Sequence, residues 1–362
     1  MKAAIRQRAR ELEFDDCRFT TALPPATAPQ FQQWLTEGRH GEMTYLERTA
    51  QKRLDLQRVL EGARSVIALA ASYGQECQVA NDERRAPEIQ HSSIRNSTFD
   101  IRRSRLVARY AQFVDYHNVL GERLKLLTEF VNQLGGNGTR SAWYVDAGPL
   151  LERDLAQRAG AGFIGKHTNL ISRQLGNWIL LGEILTTLEL EPDPPEKNRC
   201  GSCTRCITAC PIGAITAPFQ LDSRRCISYL TIELKGPIPV ELRPPIGNRI
   251  FGCDVCLSAC PWNRFAREGR LMKAHARPDL ASPDLLGLLS LDEIGFTNRF
   301  GDTPLMRTKR RGLLRNVCVA LGNVGDASAL PALQRASSDP EPLIAEHARW
   351  AIERIKVSTR PS

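Results

Sequence analysis

Apolar residues recur every three or four positions over 117–134, where Val119, Leu120, Leu124, Leu127 and Val131 share one face. That period predicts an amphipathic helix. A second helical pattern covers 28–48. Three short apolar runs, 65–70, 141–145 and 178–181, predict strands. Strands alternating with helices predict an α/β or α+β sheet domain. Pro192, Pro194 and Pro195 then mark a linker. From about residue 305 the pattern is helical again. Leu313, Leu314, Val317, Ala320 and Leu321 make one stripe, 330–336 a second, and Ile344, Ala348, Ala351, Ile352 and Ile355 a third. Segments 315–321 and 346–352 look alike at an offset of 31 residues, as in a short helical repeat.

The 362 residues suffice for two or three domains. With 42% hydrophobic and 25% charged residues, the chain is neither disordered, collagen-like nor a coiled coil. No run of eighteen apolar residues predicts a membrane span. The N-terminus lacks the apolar core of a secretory signal, so the expected compartment is the cytoplasm. Eleven cysteines are many for that compartment and point to metal or catalysis rather than disulfides.

Eight of them lie between 200 and 260. Cys200, Cys203, Cys206 and Cys210, the last followed by Pro211, match the C-x2-C-x2-C-x3-C-P run of bacterial ferredoxins. Cys253, Cys256 and Cys260 form a second group, with Cys226 upstream. In that register the fourth cysteine of each run serves the other cluster. One 4Fe–4S cluster then takes Cys200, Cys203, Cys206 and Cys260, and the other takes Cys210, Cys226, Cys253 and Cys256. A pair of zinc sites is the competing reading, but zinc does not require this register. Cys17, Cys77 and Cys318 are expected to be inert.

Residues 160–165 satisfy G-x-G-x-x-G, yet a helical pattern precedes the glycines and an extended one follows. That reverses the order nucleotide binding needs, so a helix C-terminus is the better reading. Asp146 ends an apolar strand just before a helix expected to start near Pro149. It reads as a helix cap or as a general acid. His117 reads as a structural histidine at a helix start, a metal ligand or an acid/base. Three basic clusters suit a phosphate backbone. They are Arg84, Arg85, Arg95, Arg102, Arg103, Arg105 and Arg109; then Arg264, Arg267, Arg270, Lys273 and Arg277; then Lys309, Arg310, Arg311 and Arg315.

The chain resembles the epoxyqueuosine reductase family over about residues 5–355. The resemblance rests on Asp115-Tyr116-His117, on 145–153, on Arg158-Ala159-Gly160, and on 200–206, 225–231 and 247–254. Phe113 departs from it, standing where the family often has glycine. The implied class is α+β. It comprises a nitroreductase-like corrinoid-binding α/β domain (1–192), a ferredoxin-like double 4Fe–4S module (193–270) and a C-terminal α-helical, HEAT-like tRNA-binding domain (271–362). The implied reaction reduces the epoxide of epoxyqueuosine to queuosine at the wobble position of tRNA. Low-valent cobalamin, held as cob(II)alamin and fed by the clusters, would drive it. Asp146 becomes the proton donor to the epoxide oxygen. Arg53, Arg109, Lys166, Asn169, Leu170 and Leu181 become corrinoid contacts, together with Ser228, Asp254 and Val255. The implied partners are the anticodon stem-loop of queuosine-type tRNAs and an external electron donor such as a flavodoxin or ferredoxin system, acting on a monomer with no membrane. The runner-up is a corrinoid iron–sulfur reductive dehalogenase, disfavoured by the missing export signal and the basic clusters. An electron carrier without a substrate would need only the cluster module.

Overall fold

The computed structural model describes residues 1–74 and 106–358. Cys77 and the basic residues Arg84, Arg85, Arg95, Arg102, Arg103 and Arg105 lie outside the described residues. The main sheet has four strands, β1 (Asp16–Thr21), β2 (Ser65–Ser72), β3 (Ser141–Tyr144) and β4 (Ile179–Thr186), in the order β1-β2-β4-β3. Every neighbouring pair is antiparallel, which makes the mixed fold α+β rather than a parallel α/β sheet. The three apolar runs fall on β2, β3 and β4. Strand β1 escaped notice because Asp16, Arg18, Thr20 and Thr21 dilute its apolar positions.

Side chains alternate across a strand, and the sheet uses both faces. Ile67, Leu69 and Ile184 pack under α1 (Lys2–Glu11) and α2 (Tyr116–Gly135), against Ile5, Leu124 and Leu127. Val66 and Leu185 face the other way, against Leu150 and Leu155 at α3 (Glu152–Arg158). The patterned face of α2 is buried as its period predicts. The 28–48 pattern breaks into helices Ala28–Thr36 and Thr44–Arg48, with Gly38 and Gly41 at positive φ between them. After α3 the chain turns at Gly160, with φ of 82°, and enters the hairpin Phe163–Ile164 with Leu170–Ile171. A hairpin there presents no helix N-terminus, so the glycine motif is no nucleotide cradle.

Helix α4 (Ile227–Ile232) belongs to the cysteine-rich region. The C-terminal end carries α5 (Lys309–Val324), α6 (Leu330–Ala336) and α7 (Pro342–Ser358). Their stripes interlock through Leu313, Val317, Leu333, Ile344 and Ala348. The same cluster takes in Val107, Ile232 and Phe251, while Leu271 and Met272 pack in the sheet core. Apolar packing therefore runs across positions 192/193 and 270/271. No helix among the described residues is long and apolar enough to cross a membrane.

Arg315 is 1% exposed, so it leaves the basic face and becomes a structural residue. Its guanidinium donates to the carbonyls of Leu230, Leu234 and Gly236 at 2.7–2.9 Å. Neighbouring Asn316 donates to Thr231 and Ile250. Replacing Arg315 by Ala strands one buried and two part-buried carbonyls. The expected loss is about 1–3 kcal/mol, the cost of the fully buried group left unsatisfied. It would be read as a lowered denaturant midpoint; an unchanged midpoint would refute this role.

Candidate active site

Asp146 lies in the turn after β3, and its side chain is 55% exposed. It is not the helix cap, since α3 begins at Glu152 with Leu151 at the N-cap. Its φ is 51°, a left-handed conformation that costs an aspartate roughly 1–3 kcal/mol unless its surroundings enforce it. The next amide, on Ala147, folds back onto the Val145 carbonyl. Gly148 is needed two residues on, because a Cβ there would run into the Tyr144 side chain.

The Tyr116 hydroxyl donates to Asp146 Oδ2 at 2.6 Å. Burial, then the Asp146 charge, push the Tyr116 phenol far up, so it stays a donor at any working pH. His117 Nε2 lies 3.8 Å from the same oxygen, and its Nδ1 lies 2.8 Å from Asp115 Oδ1. Burial raises the Asp115 carboxyl, but the hydrogen bonds from His117 outweigh it and hold the group below its usual range. Asp115 also caps α2 by accepting from the His117 amide at 3.0 Å. Thus Asp115-Tyr116-His117 puts an orienting acid, a phenol and an imidazole around one exposed carboxylate.

Four residues of this site carried no signal in the sequence. Tyr45 and Arg307 are electrostatic neighbours of Asp146. Arg307 pairs with Glu233 at 2.8 Å and lies over the Tyr45 ring. Glu152 and Glu183 stand behind the turn. Neither a short polar stretch nor a lone acid in a strand marks such a meeting beforehand.

The eight clustered cysteines are all free and form two groups. Cys206 faces Cys200 and Cys260, and Cys260 faces Cys200 and Cys203. Cys256 faces Cys253, Cys226 and Cys210, and Cys226 faces Cys210. Burial pushes the Cys253 thiol up to about 11 and Cys256 well above its ordinary value, with Arg249 lowering only the former. Buried thiols without enough protein cations fit ligands to iron, whose charge keeps thiolates deprotonated. Among the described residues no three His, Cys, Asp or Glu side chains meet closely enough for one metal ion. Cys17 and Cys318 are buried in the hydrophobic cores.

Asn169, Leu170 and Leu181 line one cleft of about 80 Å³, with Tyr73, Arg153, Asn177, Ile179 and Leu257. That volume receives an edge of a large planar ligand rather than the whole. The orphaned Nε2 of buried His167 lies in the adjoining hairpin. The Arg109 amide donates to Asp254 Oδ2 at 2.6 Å, and its guanidinium covers the Trp178 ring at 4.3 Å. Val255 follows Asp254 at the start of a short helix. Ser228 stands beside Gly252, next to Cys253. Lys166 and Arg53 also bind protein carbonyls. Lys166 Nζ donates to the carbonyls of Gly201 and Cys203, tying the hairpin to the first cysteine loop. Arg53 is buried and donates to the Leu150 carbonyl at 2.7 Å, bracing the Asp146 turn.

Of the basic residues described, Arg264, Arg267, Arg270, Lys273 and Lys309 are exposed. Arg277 and Arg310 are spent on ion pairs, with Asp279 and Asp302 and with Asp339, and the exposed Lys273 pairs with Glu268. The crossed cysteine grouping makes a specific expectation. Cys260→Ala should remove the same cluster as Cys200→Ala, each leaving about four of eight irons. Iron analysis with electron paramagnetic resonance distinguishes this from loss of the Cys253–Cys256 cluster, which would overturn the grouping.

Two family models match the chain: "4Fe-4S double cluster binding domain" over residues 199–263 and "Epoxyqueuosine reductase QueG, DUF1730" over 53–147. The epoxyqueuosine reductase of Xanthomonas campestris pv. campestris is 41% identical over 352 residues, covering 97% of this chain and 95% of that protein. That of Escherichia coli K12 is 37% identical, covering 96% and 88%. A crystal structure of epoxyqueuosine reductase with an epoxyqueuosine-modified tRNA-Tyr stem-loop superposes with a TM-score of 0.83. Its identity is 33%, over 98% of this chain and 90% of that one. A Bacillus subtilis epoxyqueuosine reductase, whose catalytic aspartate loop is swung out of the active site, gives 0.82 at 32%, with the same coverage. With such identity sustained from end to end, and the same fold beneath it, the chain belongs to the epoxyqueuosine reductase family.

Proposed function

We propose that this protein is an oxidoreductase that converts epoxyqueuosine to queuosine at the wobble position of tRNA, with Asp146 as its proton donor. The observation that carries the reading is the exposed Asp146 carboxyl held against the Tyr116 hydroxyl, in a chain whose relatives bear that activity in their names. The dehalogenase reading is not favoured by those relatives.

Opening an epoxide to an alkene and water takes two electrons and two protons, both protons ending on the oxygen. Asp146, with Tyr116 donating to its far oxygen, delivers a proton to the oxygen as the carbon–oxygen bond breaks. His117 and Asp115 keep the imidazole edge toward the same carboxylate. Cys200, Cys203, Cys206 and Cys260 would hold one 4Fe–4S cluster and Cys210, Cys226, Cys253 and Cys256 the other, and these groups would supply one-electron chemistry when bound. An external carrier of the flavodoxin or ferredoxin kind would meet the Cys200–Cys203 loop, whose flanking Gly201, Ser202 and Arg205 are exposed. The residues fit cobalamin: the cleft at Asn169, Leu170 and Leu181 takes one edge, with Arg109, Asp254, Val255 and Ser228 on the cluster side. Bound there, it would supply low-valent cobalt chemistry at the carbon–oxygen bond. The target nucleotide would be extruded toward Asp146, since a base in its stack is out of reach. A relative is known in complex with a tRNA stem-loop, and here Arg264, Arg267, Arg270 and Lys273 would hold the phosphates. The finer likenesses to nitroreductases and HEAT repeats, the three-domain division, the monomer and the cytoplasmic location belong to the same reading.

Asp146→Asn keeps the size and the Tyr116 contact but removes the acid. Conversion, followed by nucleoside mass spectrometry, should fall at least about a hundredfold, with iron content and tRNA affinity retained. Near-normal turnover would eliminate Asp146 as the donor. Replacing Arg267 and Arg270 by Ala should weaken stem-loop binding and reduce its salt slope by roughly one unit for each phosphate no longer neutralised. An unaltered slope would place the tRNA elsewhere.

A further inference from the structure

Two acids, the buried Glu183 and the half-buried Glu152, lie behind the Asp146 turn, and the steps above leave them unused. Glu183 sits on β4 in register with Tyr144 on β3 and Ala68 on β2, and it is fully buried. Neither of its carboxyl oxygens meets an N–H or a cation among the described residues. Glu152, the first residue of α3, faces Glu183, and one of its oxygens is equally unserved. The Asp146 amide also points at the Glu152 carboxyl. Two facing carboxyls can bond only if one of them carries a proton. Burial, and then nearby negative charge, hold both groups above the usual carboxylate range.

Resting on the reading of Asp146 as proton donor, we propose that Glu152 and Glu183 form a one-proton carboxyl pair that positions the Asp146 turn. The shared proton bridges the two side chains. The remaining acceptor capacity of Glu152 takes the Asp146 N–H and keeps residue 146 in its left-handed conformation. Arg53 braces the far end of the same turn through Leu150. The groups facing the pair are Asp146 and Arg153, with Arg53 from the helix Ala50–Leu54 and Tyr116 from α2. Removing the shared proton sets two carboxylates against each other beside Asp146. Glu152 is then driven off the amide, and the turn is left without the bond that offsets its strain. Glu152 and Glu183 are thus positioning residues, and turnover should fall on the alkaline side as the pair ionises.

The test uses the full-length protein with both clusters and cobalamin loaded, and an epoxyqueuosine-containing stem-loop. Glu152→Met, which keeps the volume but removes the acceptor of the Asp146 N–H, should lower kcat by roughly tenfold to a hundredfold, as displacement of a reacting group by about 1 Å does. Its KM for the stem-loop should stay within about twofold, because the pair touches no RNA. Glu152→Gln, whose carbonyl still accepts the Asp146 N–H and whose amide donates to Glu183, should keep most of the wild-type kcat. Glu183→Gln cannot ionise, yet its amide still donates to Glu152, so the alkaline limb of kcat should move up by roughly one pH unit or more. A wild-type kcat in Glu152→Met, a Glu152→Gln as slow as Glu152→Met, a KM that rises in step with the loss of kcat, or an unmoved alkaline limb in Glu183→Gln would each overturn the pair. If Glu152→Met fails to fold, Glu152→Asp, which keeps the charge but shortens the reach, is read by the same kcat and KM criteria. Asp146→Asn in the same assay separates the two readings. If it turns over normally, the donor reading fails and the pair falls with it. If it is inactive while Glu152→Met behaves as wild type, only the pair fails.

Discussion

The Asp146 carboxyl is useful only while its backbone stays in a conformation that an aspartate resists. The turn at 145–148 is anchored on the sheet by β3, on α2 by the Tyr116 hydroxyl, and on the helix Ala50–Leu54 by Arg53 through Leu150. Each anchor is rigid for a separate reason. Strand β3 pairs with β4 between two apolar layers, Tyr116 begins a twenty-residue helix whose inner face is buried, and Arg53 has little solvent left to lose. A solvent-facing acid therefore stands on a scaffold whose own contacts are almost all dry.

The electron-carrying half is joined to this scaffold rather than appended to it. Phe251, two residues before Cys253, packs against Tyr110, and Tyr110 packs edge-on to Tyr116, with ring centroids 6.2 and 5.9 Å apart. Asp254 receives the amide of Arg109, the residue before Tyr110. The Cys253–Cys256 loop and the residues that orient the acid thus share one aromatic seam. From the other side, Lys166 fastens the hairpin beside the cleft to the outer cysteine loop. Cluster loops, cleft and acid are held in fixed relation by short contacts. Electron transfer and proton transfer to one small group need that arrangement.

Much of this was legible along the chain. The 3–4 period of α2 and α5, the apolar runs of β2 and β4 and the cysteine register carried their own explanation. Residue spacing alone favoured a cap for Asp146, and only the family resemblance raised it to an acid. The structure shows why: the helix begins six residues later, so the strand-end aspartate is free for other work. Strand β1 was missed because Arg6 and Lys2 on α1 satisfy Asp193 against its edge, a tertiary ion network that lets a polar segment pair. Arg315 was misread as surface charge, since nothing local announces that three loop carbonyls will surround it. Glu152 and Glu183 meet only because β4 returns beside β3, a consequence of topology that no window of sequence contains.

The proposed reaction is a cobalamin-dependent reduction of a tRNA-borne epoxide. The most direct measurement incubates the anaerobically reconstituted protein, with iron and sulfide verified as loaded, with reductant and an epoxyqueuosine-containing tRNA stem-loop. Cobalamin is present in one arm and withheld in the other, and the nucleosides are weighed by mass spectrometry. Queuosine, lighter than its precursor by one oxygen atom, is expected only where cobalamin is present. Unchanged epoxyqueuosine in both arms, or equal conversion in both, would contradict it.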